Sequence, residues 1–189
     1  MTMNDEPTSF EDVPLFDLPT GLGVGSQRER TGVVYDRGLT LTDRARARFA
    51  RHIVKSPGCW FWTGAISHPD GYGRFTWQVK GKSRSISAHR FAALAAGLTI
   101  PDGFVVEHVC NEPLCVRVDP EHVQVTTQSK NILYAAELGR LSPVGGGSHS
   151  AMSRVERSRR VREAIKAGWD AAAYKQAISG FSEDQLNLF

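Results

Sequence analysis

Apolar and polar positions change period several times along the chain, and each change marks an element. From Thr42 the period is helical. Thr42 or Asp43 can cap, and RARARFARHIV puts Arg44, Arg48 and Arg51 on one side and Phe49 and Ile53 on another, until Pro57-Gly58 ends the run. Cys59-Trp60-Phe61-Trp62 and the stretch from Gly73 to Val79 then read as strands, with turns at Pro69-Asp70-Gly71 and Lys80-Gly81-Lys82 and a third strand from Ser83 to Ser87. Aromatic residues this dense are core packing first of all. Ser87 is placed to cap AHRFAALAAG, an Ala-rich helix ended by Gly97 and Pro101. Phe104-Val105-Val106 is a short buried strand that delivers Glu107 and His108, and Val123-Gln124-Val125 is a second. Thr126 or Thr127 caps a helix that runs through Asn131 to Leu138 and is closed by Gly139.

Outside this body the pattern dissolves. Residues 1–38 have no sustained period, are rich in Pro, Gly and Asp, and read as a disordered acidic arm. Its one apolar cluster, Val13 to Leu18, reads as a docking peptide or as a flap packed on the body. Residues 142–150 (SPVGGGSHS) read as a flexible linker. Residues 151–180 hold a basic helix, SRVERSRRVREAIKAG, and a shorter one, AAAYKQAI. They read as a DNA-contacting, helix-turn-helix-like extension carrying Arg157 and Arg160, with packing back on the body as the alternative. Residues 181–189 are an acidic tail with an apolar end.

At 189 residues the chain suits one domain with appendages. No apolar run reaches the roughly 20 residues of a membrane span, and the start lacks a signal-peptide pattern, so an intracellular protein is expected. There the three cysteines are thiols or metal ligands rather than disulfides. Net charge is +3, yet residues 1–27 hold five acids and no base, which leaves the remainder at +8. A basic body behind an acidic leader suits a nucleic-acid binder as well as a merely solvated surface. Arg74, Lys80, Lys82 and Arg84 interleave with the aromatic strands and predict a positively charged hairpin that could lie in a groove of double-stranded DNA.

Candidate chemistry gathers between Glu107 and Asn131, EHVCNEPLCVRVDPEHVQVTTQSKN, which holds two of the three cysteines and two of the six histidines. Two metal sites fit. In one, His108, Cys110, Cys115 and His122 share a zinc ion; in the other, Cys59 joins Cys110, Cys115 and His122, and His108 is left free. In the second case Glu107, His108 and Asn131 remain as a separate set. It offers an imidazole that can take a proton from water and two oxygen ligands suited to Mg²⁺, the components of phosphodiester hydrolysis.

Residues 58–135 resemble the HNH, or ββα-metal, endonucleases, in particular the zinc-fastened branch with His-Cys boxes. GCWFWTGAISHPDGYGRF, SAHRFAALAAG and the 107–131 stretch look like successive blocks of that family, the last as H-x-C-x4-C, P-x-H-[LV] and T-x-x-x-N. The resemblance implies an α+β fold with a small ββα-metal nuclease core over residues 39–141. It also implies His108 as general base, Asn131 and Glu107 as Mg²⁺ ligands, and Cys59, Cys110, Cys115 and His122 as ligands of a structural zinc. Arg90, with Arg74 second, is the implied scissile-phosphate contact. Two departures are visible. The segment from Cys115 to His122 is two residues longer than the family pattern, and Glu107 stands where Asp is usual. Gln185-Leu186-Asn187-Leu188-Phe189 separately resembles the peptide by which bacterial replication and repair proteins bind the sliding clamp, with Gln185, Leu186, Leu188 and Phe189 as contacts.

Two functions are therefore expected to compete. One is a DNA endonuclease of a phage or other mobile element, homing-type, recruited to the clamp. The other is a non-catalytic zinc module that binds DNA and docks on the clamp. A core of this kind has one active site per chain, so double-strand cutting asks for a homodimer or two successive nicks.

Overall fold

Short strands in three separate sheets and five helices make an α+β architecture among the described residues. The computed structural model describes residues 39, 41–137 and 152–179. The expected acidic arm, the linker and the clamp-binding tail, with Gln185, Leu186, Leu188 and Phe189, lie outside the described residues.

Helix α1 (Asp43–Ala50) begins where Thr42 Oγ1 accepts the Ala45 N–H at 3.2 Å. It stops earlier than its sequence pattern predicts, because Ile53 starts strand β1 (Ile53–Lys55), antiparallel to β2 (Trp60–Trp62). Ile53 and Val54 are β-branched, and they find Trp62 and Phe61 as cross-strand partners, which outweighs a last helical turn. Strands β3 (Ala65–Ile66), β4 (Gly73–Val79) and β5 (Lys82–Ser87) form the second sheet in that order. Lys80 and Gly81, at φ 48° and 74°, make the two-residue turn between the paired Val79 and Lys82.

Helix α2 (Ala88–Ala95) follows directly. Ser87 holds the N-cap position without a capping hydrogen bond, contrary to expectation, and its hydroxyl lies 3.4 Å from His89 Nε2 instead. Gly97, at φ 83°, closes the helix with the Leu98 N–H on the Ala93 carbonyl, a left-handed stop that a side chain would strain. Strands β6 (Phe104–His108) and β7 (Val123–Thr127) form an antiparallel pair, and α3 (Gln128–Glu137) packs against both. Thr127 Oγ1 accepts the Lys130 N–H at 3.2 Å, so Thr127 is the cap. Strand, loop, strand and helix thus run in the predicted order.

The core is aromatic. Phe49 stacks on Trp62 at 4.8 Å between ring centres and touches Phe91 at 4.6 Å, while Phe75 meets Phe91 edge-on at 4.5 Å. Gly73 is required here, since a Cβ on it would stand 2.5 Å from the Trp62 indole.

The C-terminal helices α4 (Arg154–Ile165) and α5 (Ala171–Ser179) do not stand off as a DNA arm; they pack on the body. Val161, Ile165 and Ala177 join the same core, Trp169 stacks on Phe61 at 5.5 Å, and Arg162 Nη1 donates to the Gly64 carbonyl at 3.3 Å. Their apolar face explains the difference, because helices this short are marginal alone and gain their stability by burying it. No helix of the described residues is long and apolar enough to cross a membrane.

Candidate functional site

The loop from Cys110 to Val118 is zipped onto β2. The Trp62 N–H donates to the Leu114 carbonyl and the Val116 N–H to the Trp60 carbonyl, both at 2.8 Å, and Cys115 bridges Phe61. That pairing carries Cys115 across to Cys59, which sits just before β2. The turn holding Cys59 is itself fixed, with Ser56 Oγ donating to the Cys59 carbonyl at 2.7 Å and Arg117 Nη1 to the carbonyls of Pro57 and Gly58 at 3.0 and 2.7 Å.

As a result Cys59, Cys110 and Cys115 come together, with their sulfur atoms within 4.8 Å of one another. Hydrogen bonds from Cys115 and Cys59 hold the Cys110 thiol down to about 2. The bond to Cys110 pushes Cys59 up to about 12 and raises Cys115 as well. Three thiols this close cannot all ionise without a cation to share. A soft cation replaces their protons, so the donor set fits a metal ion.

His122 is not in that group. Its Nδ1 hydrogen bonds to Asp119 Oδ1 at 2.7 Å, and Asp119 is ion-paired to Arg117 at 2.6 Å. The longer segment between Cys115 and His122 supplies this arrangement, for Arg117 and Asp119 both lie in it. His108 is likewise outside the cysteine group, whose third member is Cys59.

His108 is held for another purpose. Its Nε2 lies 2.9 Å from the Cys115 carbonyl. A carbonyl only accepts, so Nε2 carries the hydrogen and the neutral ring keeps its lone pair on Nδ1. Tyr72 lies flat against the ring at 5.6 Å and 9°, and His89 packs edge-on at 4.4 Å. Burial holds both imidazoles below their ordinary value, His89 well below it, so both are neutral at pH 7.

Glu107 is 9% exposed; its Oε1 accepts from Gln124 Nε2 at 2.8 Å, whereas its Oε2 is buried with no partner. A buried carboxylate oxygen without a donor fits a cation. Successive strand residues point to opposite faces, so Glu107 and His108 diverge from the end of β6, His108 toward His89 of α2. Asn131, Tyr134 and Ala135 are the half-buried positions of α3, the i, i+3, i+4 face that rests on the hairpin, and Tyr134 Oη donates to the Val109 carbonyl at 3.3 Å. Asn131 thus lies on the inner face of α3, one turn before the residue tied to the end of β6.

The basic residues expected to bind DNA do not share one face. On β4, Arg74, Thr76 and Gln78 are exposed and lie opposite Ser87, Ser85 and Ser83. Arg84 is instead opposite Trp77, and Lys82 opposite Val79, on the other side of the pleat, with Lys80 in the turn. Arg90 of α2 is half-buried and points about 100° round the helix from His89. Arg157 is turned inward, its Nη2 lying 2.8 Å from Glu112 Oε2, while Arg160 is exposed and paired with Glu156 at 3.1 Å.

Tyr72, His89 and Arg154 are neighbours of this site that sequence reasoning did not single out. His89 had a visible signal, a histidine on the buried face of an Ala-rich helix, and Tyr72 a weaker one, an aromatic between two glycines. Arg154 had none. Comparison with protein-family models, curated proteins and solved structures returns no match to this chain, so the functional reading rests on its own residues.

Proposed function

We propose that the protein is a metal-dependent DNA endonuclease of the HNH type, in which β6, β7 and α3 form a ββα-metal core. The observation that carries this reading is the state of His108: a neutral imidazole, its Nε2 committed to the Cys115 carbonyl, its ring clamped by Tyr72 and His89, and its Nδ1 lone pair left as a base. Buried histidines ordinarily satisfy both nitrogens or pack in apolar surroundings. Its neighbour in sequence, Glu107, is a carboxylate with an orphaned oxygen, which supports catalysis over a bare binding module.

In the proposed reaction, water at Nδ1 gives its proton to His108 as its oxygen bonds to phosphorus. The sugar oxygen leaves from the opposite side and takes a proton from solvent. Mg²⁺ held by Glu107 and Asn131 would supply positive charge at the leaving oxygen and the phosphate. The Cys115 carbonyl keeps the imidazole in the tautomer that can accept, and it also offsets the positive ring formed after proton transfer.

Cys59, Cys110 and Cys115 are proposed to hold a structural zinc ion. With Nδ1 donating to Asp119, His122 keeps an Nε2 lone pair, the state of a metal-binding histidine with a carboxylate behind it, and is the proposed fourth ligand. The substrate is double-stranded DNA, met by the exposed face of the β4–β5 hairpin, where Arg74, Thr76, Gln78, Ser83 and Ser85 offer donors and acceptors and no apolar side chain. The tail from Gln185 to Phe189 is proposed to bind a bacterial sliding clamp. Its deletion should leave cutting of naked DNA unchanged while clamp binding is lost.

The test of the activity is incubation of purified protein with genomic DNA and Mg²⁺, followed by sequencing of the cut ends. His108→Ala should abolish cleavage with an unchanged melting temperature. Equal cutting by that variant would remove His108 from the reaction. DNA binding without cleavage in Mg²⁺, Mn²⁺ and Ni²⁺ alike would favour the non-catalytic module.

A further inference from the structure

Helix α4 begins at the candidate active site. Ser153 Oγ caps it by accepting the Glu156 N–H at 3.2 Å, and Val155, buried to 7%, seats its first turn on the body. The contact is close at Gly71, in the turn before β4, where a Cβ would stand 2.8 Å from the Arg154 carbonyl oxygen and 3.0 Å from the Arg154 Cγ. Gly71, at φ 73°, suits that approach both by its conformation and by its missing side chain. The backbone of Arg154 is therefore held, although its side chain is exposed.

The guanidinium carbon of Arg154 lies over the Tyr72 ring at 5.7 Å, and the same ring stacks on His108 at 5.6 Å. One aromatic side chain thus touches both the proposed base and a permanent cation. Three other arginines of the helix are ion-paired, Arg157 with Glu112, Arg160 with Glu156 and Arg162 with Glu163, and Arg159 is exposed. Arg154 has no ion pair among the described residues, and its fork of donors is available to an anion arriving beside His108.

We propose that Arg154 is a catalytic phosphate-binding residue, gripping the phosphate under attack, so that the C-terminal helices complete the active site of the core. The proposal rests on the nuclease reading above. A guanidinium presents parallel N–H donors to two phosphate oxygens and stabilises the charge that grows on them during attack. Arg90, with Arg74 second, was expected in that role, whereas the ring that stacks on His108 carries the Arg154 guanidinium over it. The geometry also gives the packing of α4 on the turn at Gly71 a purpose beyond stability, since it brings a charge from 82 residues further along the chain to the Tyr72 ring that holds the base.

The experiment compares the full chain with Arg154→Ala and Arg154→Lys in two assays. Cleavage of genomic DNA is followed in Mg²⁺, and binding to a fluorescent 20-base-pair duplex is followed without added divalent cation across a salt series. The expected result for Arg154→Ala is a fall in cleavage on the order of 100-fold. Melting temperature and metal content should stay at wild-type values, and the salt slope of binding should be smaller by about one. Arg154→Lys should recover part of the rate, as a point charge in place of a fork. Wild-type cleavage by Arg154→Ala would overturn the proposal. If the wild-type chain cuts no DNA with any divalent cation, the nuclease reading fails, and the catalytic role of Arg154 falls with it. The binding series then shows what the residue does: a slope smaller by about one leaves it a phosphate contact of a binding module, and an unchanged slope removes that too.

Discussion

Glu112 Oε2 and Arg157 Nη2 meet at 2.8 Å across 45 residues of sequence, directly behind the cysteine group. Glu112 lies in the loop between Cys110 and Cys115 and is only 3% exposed. Its other oxygen accepts the Leu114 N–H at 3.3 Å, and its backbone carbonyl accepts the Cys115 N–H at 3.0 Å. Tyr174 of α5 adds a hydroxyl at 3.3 Å, and burial, with the Glu112 carboxylate beside it, pushes that phenol up to about 12, so it remains a donor. One carboxylate therefore joins the sulfur-bearing loop to both C-terminal helices.

Breaking that pair from the arginine side leaves a buried carboxylate with only Tyr174 and Leu114 as donors. Arg157→Ala is expected to destabilise the fold by about 2–3 kcal/mol, below the usual figure for a fully buried pair because Arg157 is partly exposed. Glu112→Gln with Arg157 intact should cost less, since the amide still accepts and the freed guanidinium reaches water. Denaturant unfolding of both single variants and the double gives the coupling. Additive losses would show that the two residues act independently.

Metal removal is the second expectation. With three thiols gathered and Cys115 fully buried, extraction of the ion should leave like charges or protons where a cation had joined the loop to β2. Purified protein should contain about one zinc per chain. A strong chelator should lower the melting temperature and make all three thiols reactive to a thiol reagent, and Cys115→Ser should reproduce both effects. A metal-free chain that melts at the same temperature as the untreated one would dispose of the structural zinc.

The elements were mostly legible in the sequence because each has a local signature. The Lys80-Gly81 turn, the Gly97 stop, the alternation from Gly73 to Val79 and the capping threonines are short-range chemistry, and they stand where pattern alone puts them. The grouping of Cys59 with Cys110 and Cys115 was reachable as one of two alternatives, since only that one used every cysteine. The misses are of three physical kinds. Ile53 left its helix for a cross-strand aromatic partner, a tertiary effect invisible to helical period. Arg74 and Arg84 were read as parts of one positively charged hairpin, and their register sends them to opposite sides of its pleat. Arg157 was taken for a surface charge because nothing near it in sequence reveals Glu112. His122 sits between these kinds, since the longer segment that made its role doubtful also supplies the Asp119 that holds its ring.

Tyr72 provides the last expectation. Its ring lies parallel to His108 and beneath the Arg154 guanidinium, so it fixes the orientation of one group and the position of the other without touching a reacting atom. It is a positioning residue, and its hydroxyl is not needed for that. Tyr72→Phe should therefore cut DNA nearly as the wild type does. Tyr72→Ala should lower kcat by roughly 10- to 100-fold through loss of alignment, with KM changed far less. Because Arg154 rests on the same ring, adding Arg154→Ala to Tyr72→Ala should cost less than the product of the two single losses. A Tyr72→Phe variant as slow as Tyr72→Ala would assign the role to the hydroxyl, and a raised KM with unchanged kcat would make Tyr72 a DNA-binding side chain rather than a support for the base.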